Sequence, residues 1–248
     1  MSVPTIRPGS RVLVVGGSGG IGAAVVDLLD SGYDLELGVH GHSRPSRVPK
    51  KGCVMTKRLT SAVDCFDLVD AFAEMVGGID HLVVAAGGMS HQSDPLDIEP
   101  SDWDHDLFLN LTAPFFLAQR ALRLMKESRS AGSVVLFGTA SARHGGGPSS
   151  LAYGVAKHGI ECAVKGLARR AASFGARVNG INPGFIASGF HQRWQQMSDD
   201  SVADRVRTIP IGRAGSTSEV AFLVSYLMSE QAGFITGEII SVAGGEWL

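Results

Sequence analysis

The chain is poor in cysteine, aromatic side chains and net charge, and it has no long apolar run. Three cysteines (Cys53, Cys65 and Cys162) in 248 residues form no C-x-x-C pair and no metal-like spacing, which excludes a disulfide framework and a zinc module. They read as small buried apolar residues. With 22 Lys+Arg against 24 Asp+Glu and no block of like charge, nothing attracts nucleic acid or an acidic membrane surface. The uncharged stretch Val12–Val26 is too short to span a bilayer and is interrupted by glycines. Met1–Gly9 holds two prolines and no apolar run, unlike a secretory signal, so a cytoplasmic location is expected. A hydrophobic content of 44% with a formal charge of −2 excludes a disordered chain. No repeat, low-complexity tract or linker divides the sequence, and one α/β domain over 1–248 is expected.

Glycine, by contrast, is abundant. Thirty-two in 248 residues is about 13%, against roughly 7% on average, and the clusters fall where short apolar runs end. Those runs read as strands at Arg11–Val15, Leu35–Val39, Cys53–Thr56, His81–Ala85, Ser133–Phe137, Arg177–Ile181 and Glu238–Ser241. Helical patterns lie between them at Gly20–Ser31, Ala62–Val76, Asp102–Lys126, Ser150–Ser173 and Thr217–Met228. Ser216 with Glu219 forms a capping box for the last helix. Buried strands alternating with helices predict a doubly wound Rossmann-type parallel sheet of about seven strands, with helices on both faces. In such a sheet ligands sit beyond the carboxyl ends of the strands.

After the first strand comes Gly16-Gly17-Ser18-Gly19-Gly20-Ile21-Gly22, running into a helix. Glycine there allows a tight turn and lets main-chain N–H groups reach a pyrophosphate at the helix start. A phosphate-gripping NTPase loop needs Lys followed by Ser or Thr, and Ala23-Ala24 stand there instead. The pattern is formally also a G-x-S-x-G nucleophile elbow, but that fold needs an earlier strand to supply its oxyanion hole. A purely structural turn is the plain alternative.

Strand two ends in His40-Gly41-His42-Ser43-Arg44-Pro45-Ser46-Arg47, with no carboxylate to bond a ribose 2′-hydroxyl. Ser43, Arg44 and Arg47 suit a 2′-phosphate, so NADP(H) is favoured over NAD(H); a solvated polar loop is the alternative for Arg47. His40 and His42 lack a third ligand at metal spacing.

Tyr153 and Lys157, four residues apart at the start of a helix, share one face. A phenol with an ordinary pKa near 10 needs its anion stabilised by about 4 kcal/mol to work near neutrality. An ammonium about 4 Å away supplies that much at an effective dielectric of 20. Tyr33 and Tyr226 have Leu37 and Glu230 at the same offset, so Tyr153 alone qualifies.

Gly16-x-x-x-Gly20-x-Gly22 with Tyr153-x-x-x-Lys157 resembles the short-chain dehydrogenase/reductase family, in its small single-domain, 3-oxoacyl-carrier-protein-reductase-like form. Ala85-Ala86-Gly87, Asn110, Asn182-Pro183-Gly184, Ile209–Arg213, Ile235–Glu238 and Ser241–Gly245 match further family segments in order, over essentially the whole chain. The resemblance implies an enzyme in which Tyr153 is the general acid/base and Lys157 lowers its pKa and holds the nicotinamide ribose. It implies that Asn110 places a water in a proton relay, and that a hydroxyl, from Thr139 or its competitor Ser141, polarises the substrate oxygen. It further places the dinucleotide along Gly16, Ser18, Gly19, Gly20, Ile21, His42, Ser43, Arg44, Arg58, Leu59, Ala86, Gly87, Pro183, Gly184 and Ile186, as well as Tyr153 and Lys157.

Several positions depart from the family pattern. Val15, Val84 and Ala85 replace a threonine and two asparagines that brace neighbouring backbone, and Arg58 stands where an adenine-binding Asp is usual. The expected reaction interconverts a ketone or 3-oxoacyl carbonyl and an alcohol; a dinucleotide-binding sensor without turnover is the rival. Met89, His91, His144, Phe185, Phe190, Trp194 and Met197 are candidate substrate-lining residues. The resemblance also implies a homotetramer built through the helices at 102–126 and 150–173 and the C-terminal segment.

Overall fold

Short runs of valine, leucine and isoleucine form the strands, and the amphipathic stretches between them form helices on both faces of the sheet. The computed structural model describes residues 4–42, 48–89, 93–190 and 198–246. The strands are β1 (Ser10–Val15), β2 (Leu35–Gly41), β3 (Gly52–Thr56), β4 (His81–Val84), β5 (Ser133–Phe137), β6 (Arg177–Pro183) and β7 (Ile239–Val242). They lie in the order β3-β2-β1-β4-β5-β6-β7, every neighbouring pair parallel. This is the expected doubly wound sheet. The strand order reverses at β1, where Val15 is in register with His40 of β2 and with Val84 of β4.

Among the described residues the α-helices are α1 (Gly20–Gly32), α2 (Ala62–Val76), α3 (Pro100–Leu107), α4 (Ala113–Ser128), α5 (Leu151–Ala171), α6 (Asp199–Arg207) and α7 (Thr217–Met228). Val25, Val26 and Leu29 of α1 join Val220, Val224 and Leu227 of α7 on one face of the sheet, over Val12, Val14, Val83 and Val135. Phe72 of α2, Leu117 of α4 and Ile160 of α5 cover the other, over Leu13, Leu82 and Leu136. Alternating strand residues thus feed two separate cores, as a sheet buried on both sides requires. The capping box at Ser216 and Glu219 forms as its spacing predicts.

Three expectations are corrected. The helix expected over 102–126 is broken by a π turn at Phe108–Thr112, where the Ala113 N–H bonds back to the Phe108 carbonyl. Pro114 explains the break: it has no N–H for the Asn110 carbonyl, and its ring would clash there in an unbroken helix. α6 forms where no helix is expected, because Val202, Ala203 and Val206 are too few apolar residues to signal one; Ser198 caps it by accepting from the Ser201 N–H. Of the cysteines Cys65 is buried, its thiol pushed up to about 11 by burial, Cys53 is half-buried, and Cys162 is exposed because it lies on the outer side of α5. No helix among the described residues is long and apolar enough to cross a membrane.

At the amino ends of the strands the sheet is stapled by a buried ion pair. Arg11 donates to Asp80 from its main-chain N–H at 3.0 Å and from two guanidinium nitrogens at 2.8 Å each, and Ser130 adds a bond at 2.6 Å. Burial opposes the charge on Asp80, but these donors prevail and hold its carboxyl well below the usual range. Next to it, His81 is buried with Nδ1 lacking a partner among the described residues. Burial pushes this imidazole down to about 4. The unfolded chain protonates near pH 6.5, so below that pH it binds more protons than the native state and stability falls. Replacing His81 with Leu should reduce the loss between pH 7 and 4.5 by about 2 kcal/mol in urea unfolding. Parallel losses in both proteins would clear His81 of this role.

Candidate active site

The carboxyl end of β1 turns sharply because Gly16 adopts φ +83°. A Cβ there would lie 2.5 Å from the Ala86 nitrogen, and one on Gly22 would lie 2.1 Å from the Gly16 carbonyl oxygen. The turn is pinned from both sides of the sheet. Gly16 and Gly17 donate to the His40 carbonyl at 3.2 and 2.9 Å, and Ala85 and Ala86 donate to the Val15 carbonyl at 2.8 and 3.0 Å. Main chain therefore braces this corner in place of the asparagine side chains that Val84 and Ala85 lack. α1 then starts with no side-chain cap and no acidic residue in its first turn, and a Cβ on Gly19 would meet no atom within 4 Å. A 13-residue helix opening on bare main chain is suited to an anion.

The cleft beside this turn is lined by Ile21, Ala85, Gly87, Phe137, Gly138, Thr139, Ser141, Tyr153, Lys157, Pro183, Gly184, Ile186, Ser188 and Phe190. Each strand that reaches the corner contributes from its carboxyl end, and α5 brings in Tyr153 and Lys157. The Thr139 hydroxyl lies 3.1 Å from the Ser141 hydroxyl and lines the same cleft as the Tyr153 phenol. Lys157 is buried; its Nζ donates to the Phe137 carbonyl at 3.0 Å and lies 5.7 Å from the centre of the Tyr153 ring. Asn110, carried by the π turn and fully buried, donates to the Gly88 carbonyl at 2.8 Å and accepts from the Gly88 N–H at 3.2 Å. Gly87 fits between it and Lys157: a Cβ there would be 3.0 Å from the Asn110 Oδ1 and 3.2 Å from the Lys157 Nζ.

Burial governs the electrostatics. Tyr153 as a residue is only half-buried, yet the atoms packed around its phenol push its pKa up, with the nearby Thr139 hydroxyl opposing the shift and the Asp106 carboxylate adding to it. Burial pushes the Lys157 ammonium down to about 8. Burial, rather than charge from Lys157, sets the direction for the phenol, which keeps its proton at neutral pH.

A family model described as enoyl-(acyl carrier protein) reductase matches residues 42–246. The 3-oxoacyl-(acyl-carrier-protein) reductase FabG of Chlamydia pneumoniae is 30% identical over 245 residues, covering 96% of each chain. Those of Escherichia coli K12 and Vibrio cholerae are 28% and 29% identical, covering 97% of this chain and 98% of theirs. The chain belongs to the short-chain dehydrogenase/reductase family. It is accordingly an NAD(P)-dependent oxidoreductase.

Of the residues expected to serve this reductase, Thr139, Ser141, Tyr153 and Lys157 share the cleft with Ile21, Gly87, Pro183, Gly184 and Ile186, and Asn110 stands behind Gly87. Gly16, Ser18, Gly19 and Gly20 form the adjoining turn, with Ser18 exposed, and Ala86 packs against it from the end of β4. His42 and Arg58 are exposed at the ends of β2 and β3, and Leu59 packs against the core. Ser43, Arg44, Arg47, His91, Trp194 and Met197 lie outside the described residues. Among the candidate substrate residues Phe190 lines the cleft, its ring 5.9 Å from that of Tyr153. Met89 is instead buried, His144 is exposed, and Phe185 is turned toward Ile209 and Ile211. Sequence reasoning missed Phe137, Gly138 and Ser188 in the lining; the first two were reachable from the rule that strand ends build the site. His40, whose Nε2 bonds the Lys57 carbonyl at 2.8 Å, belongs to no group of three metal-binding side chains among the described residues.

Carrying a buried ammonium opposes folding. The native Lys157 loses its proton near pH 8, whereas the unfolded chain holds it to about 10.4, so below pH 8 the protein bears the full penalty. Lys157→Met should therefore raise stability at pH 7 by about 1–2 kcal/mol, the gain shrinking as pH rises above 8. Thermal melts at pH 7 and 9.5 read this; a variant less stable at both would refute it.

Proposed function

We propose that this chain is an NADP(H)-dependent reductase that interconverts a ketone or 3-oxoacyl carbonyl and a secondary alcohol. The observation that carries the proposal is the shared cleft: Thr139 and Tyr153 line it together with Lys157, beside a bare helix start. When bound, the nicotinamide supplies or accepts the hydride. The protein provides placement and protons. Tyr153, which keeps its proton in the buried site, donates it to the carbonyl oxygen, while the Thr139 hydroxyl gives that oxygen a second hydrogen bond. Ser141, 3.1 Å from Thr139, orients the threonine hydroxyl. As charge develops on the phenol, the Lys157 ammonium stabilises it. Asn110 is held by Gly88, and Pro114 offers its carbonyl no helical donor, which suits that carbonyl to placing a water for reprotonation.

The relatives' names support a 3-oxoacyl thioester as substrate, whereas the family model's description points to an enoyl thioester. Two hydroxyls converging on one point suit a carbonyl oxygen. Selection of NADP(H) over NAD(H) rests on the end of β2, where no carboxylate stands and His42 begins the polar stretch to Arg47. We also assign the protein to the cytoplasm, as one domain over 1–248 assembled into a homotetramer through α4, α5 and the C-terminal segment. Light scattering should give four times the 26.0 kDa chain mass; a monomer mass overturns this.

Tyr153→Phe should lower kcat for reduction of 3-oxoacyl thioesters by about 10²–10⁴-fold. NADPH affinity, read by fluorescence titration, should stay within a few-fold. Undiminished reduction would remove Tyr153 from the chemistry, and tighter binding of NADH than NADPH would overturn the cofactor assignment. Wild-type protein that binds dinucleotide but turns over no carbonyl would favour the sensor reading.

A further inference from the structure

The turn that closes the cleft after β6 is held by a residue of the C-terminal tail. Glu246 carries a carboxylate that is 2% exposed although it lies near the end of the chain. Its Oε2 accepts the Phe185 N–H at 3.1 Å, and its Oε1 pairs with the Arg205 guanidinium of α6. The fit against the turn leaves no room for a side chain: a Cβ on Gly184 would lie 2.5 Å from the same Oε2 and 2.7 Å from the Ala243 Cβ. Gly184 also donates to the Val242 carbonyl at 3.0 Å, so tail and turn are bonded on both sides of the carboxylate. One buried side chain thus joins three segments: the Pro183–Ile186 wall of the cleft, α6 and the tail after β7.

We infer that Glu246 is a positioning residue that fixes the Pro183–Ile186 wall against α6, so that the cleft is preorganised for the nicotinamide end of the dinucleotide and for substrate. It touches neither the reacting atoms nor Tyr153, and acts through the Phe185 N–H and Arg205. A buried carboxylate is retained only where donors satisfy it, and here one donor belongs to the cleft wall and the other to α6. Loss of the strut lets the wall shift without altering the acid/base pair. Its effect should therefore fall on binding more than on the chemical step.

The inference rests on the reductase reading, and the experiment separates the two. Wild type, Glu246→Gln, Glu246→Ala, Arg205→Met and the Glu246→Gln/Arg205→Met double variant are compared by NADPH titration, by KM and kcat with a 3-oxoacyl thioester, and by melting temperature. Glu246→Ala should raise the NADPH dissociation constant and the thioester KM by about tenfold, with kcat falling much less. Glu246→Gln keeps an oxygen for the Phe185 N–H and should recover part of that loss. Arg205→Met should match Glu246→Gln, and the double variant should be no worse than either. Should Glu246→Ala fail to fold, the Arg205→Met and glutamine variants decide the matter. Unchanged NADPH affinity and KM in the folded variants, or equal falls in kcat and melting temperature with KM unmoved, overturn the inference. If wild type turns over no carbonyl, the reductase reading fails by itself, and NADPH affinity across the same variants still tests the strut.

Discussion

Two main chains meet where β1 leaves the sheet, and the rest of the site follows from how closely they meet. Gly16 lies against Ala86 and Gly22 against Gly16, at separations that admit no Cβ. This contact occurs at the point where strand order reverses, so β2 and β4 diverge on either side and a crevice opens between their ends. Any side chain at Gly16 would push the corner apart and move the start of α1. That start suits the crevice to an anion, because the first N–H groups of a helix have no internal partners. In the proposed reading, phosphate recognition comes from this backbone geometry and asks nothing of the side chains of Val84 and Ala85.

Across the crevice the controlling effect is burial. A phenol and an ammonium packed into protein are each pushed toward their neutral forms. In the proposed reading the phenol keeps the proton that a carbonyl acid must give. The ammonium opposes folding but is held by the Phe137 carbonyl, and in the same reading its charge counts most as the phenol ionises. The penalty is borne by the two hydrophobic cores, which bury both faces of the sheet. The same division appears at the opposite end, where Asp80 is rescued by Arg11 and Ser130 while His81 is left neutral.

Much of this architecture is legible in the sequence because strands buried on both faces must be runs of valine, leucine and isoleucine, and glycine must mark their ends. Ser133–Phe137, Ala62–Val76 and Thr217–Met228 fall where the pattern puts them. The π turn was signalled by Pro114, yet periodicity alone ran straight through it, since the residues around it keep a helical apolar stripe. α6 escaped notice for the opposite reason, since only Val202, Ala203 and Val206 interrupt its charged and polar residues. At the site, spacing placed Tyr153 and Lys157 on one face but could not weigh burial against charge, which depends on everything packed around them. Glu246 gave no local signal: an acid near the chain end reads as solvated until the fold buries it against Phe185 and Arg205.

Amide hydrogen exchange with and without NADPH tests the central claim most directly, because it reads the main-chain groups said to hold the cofactor. Saturating NADPH should slow exchange at Ser18–Gly22 and in the Pro183–Ile186 turn, with little change at the amino ends of the strands around Asp80. Exchange at Ser18–Gly22 that is indifferent to NADPH would contradict it.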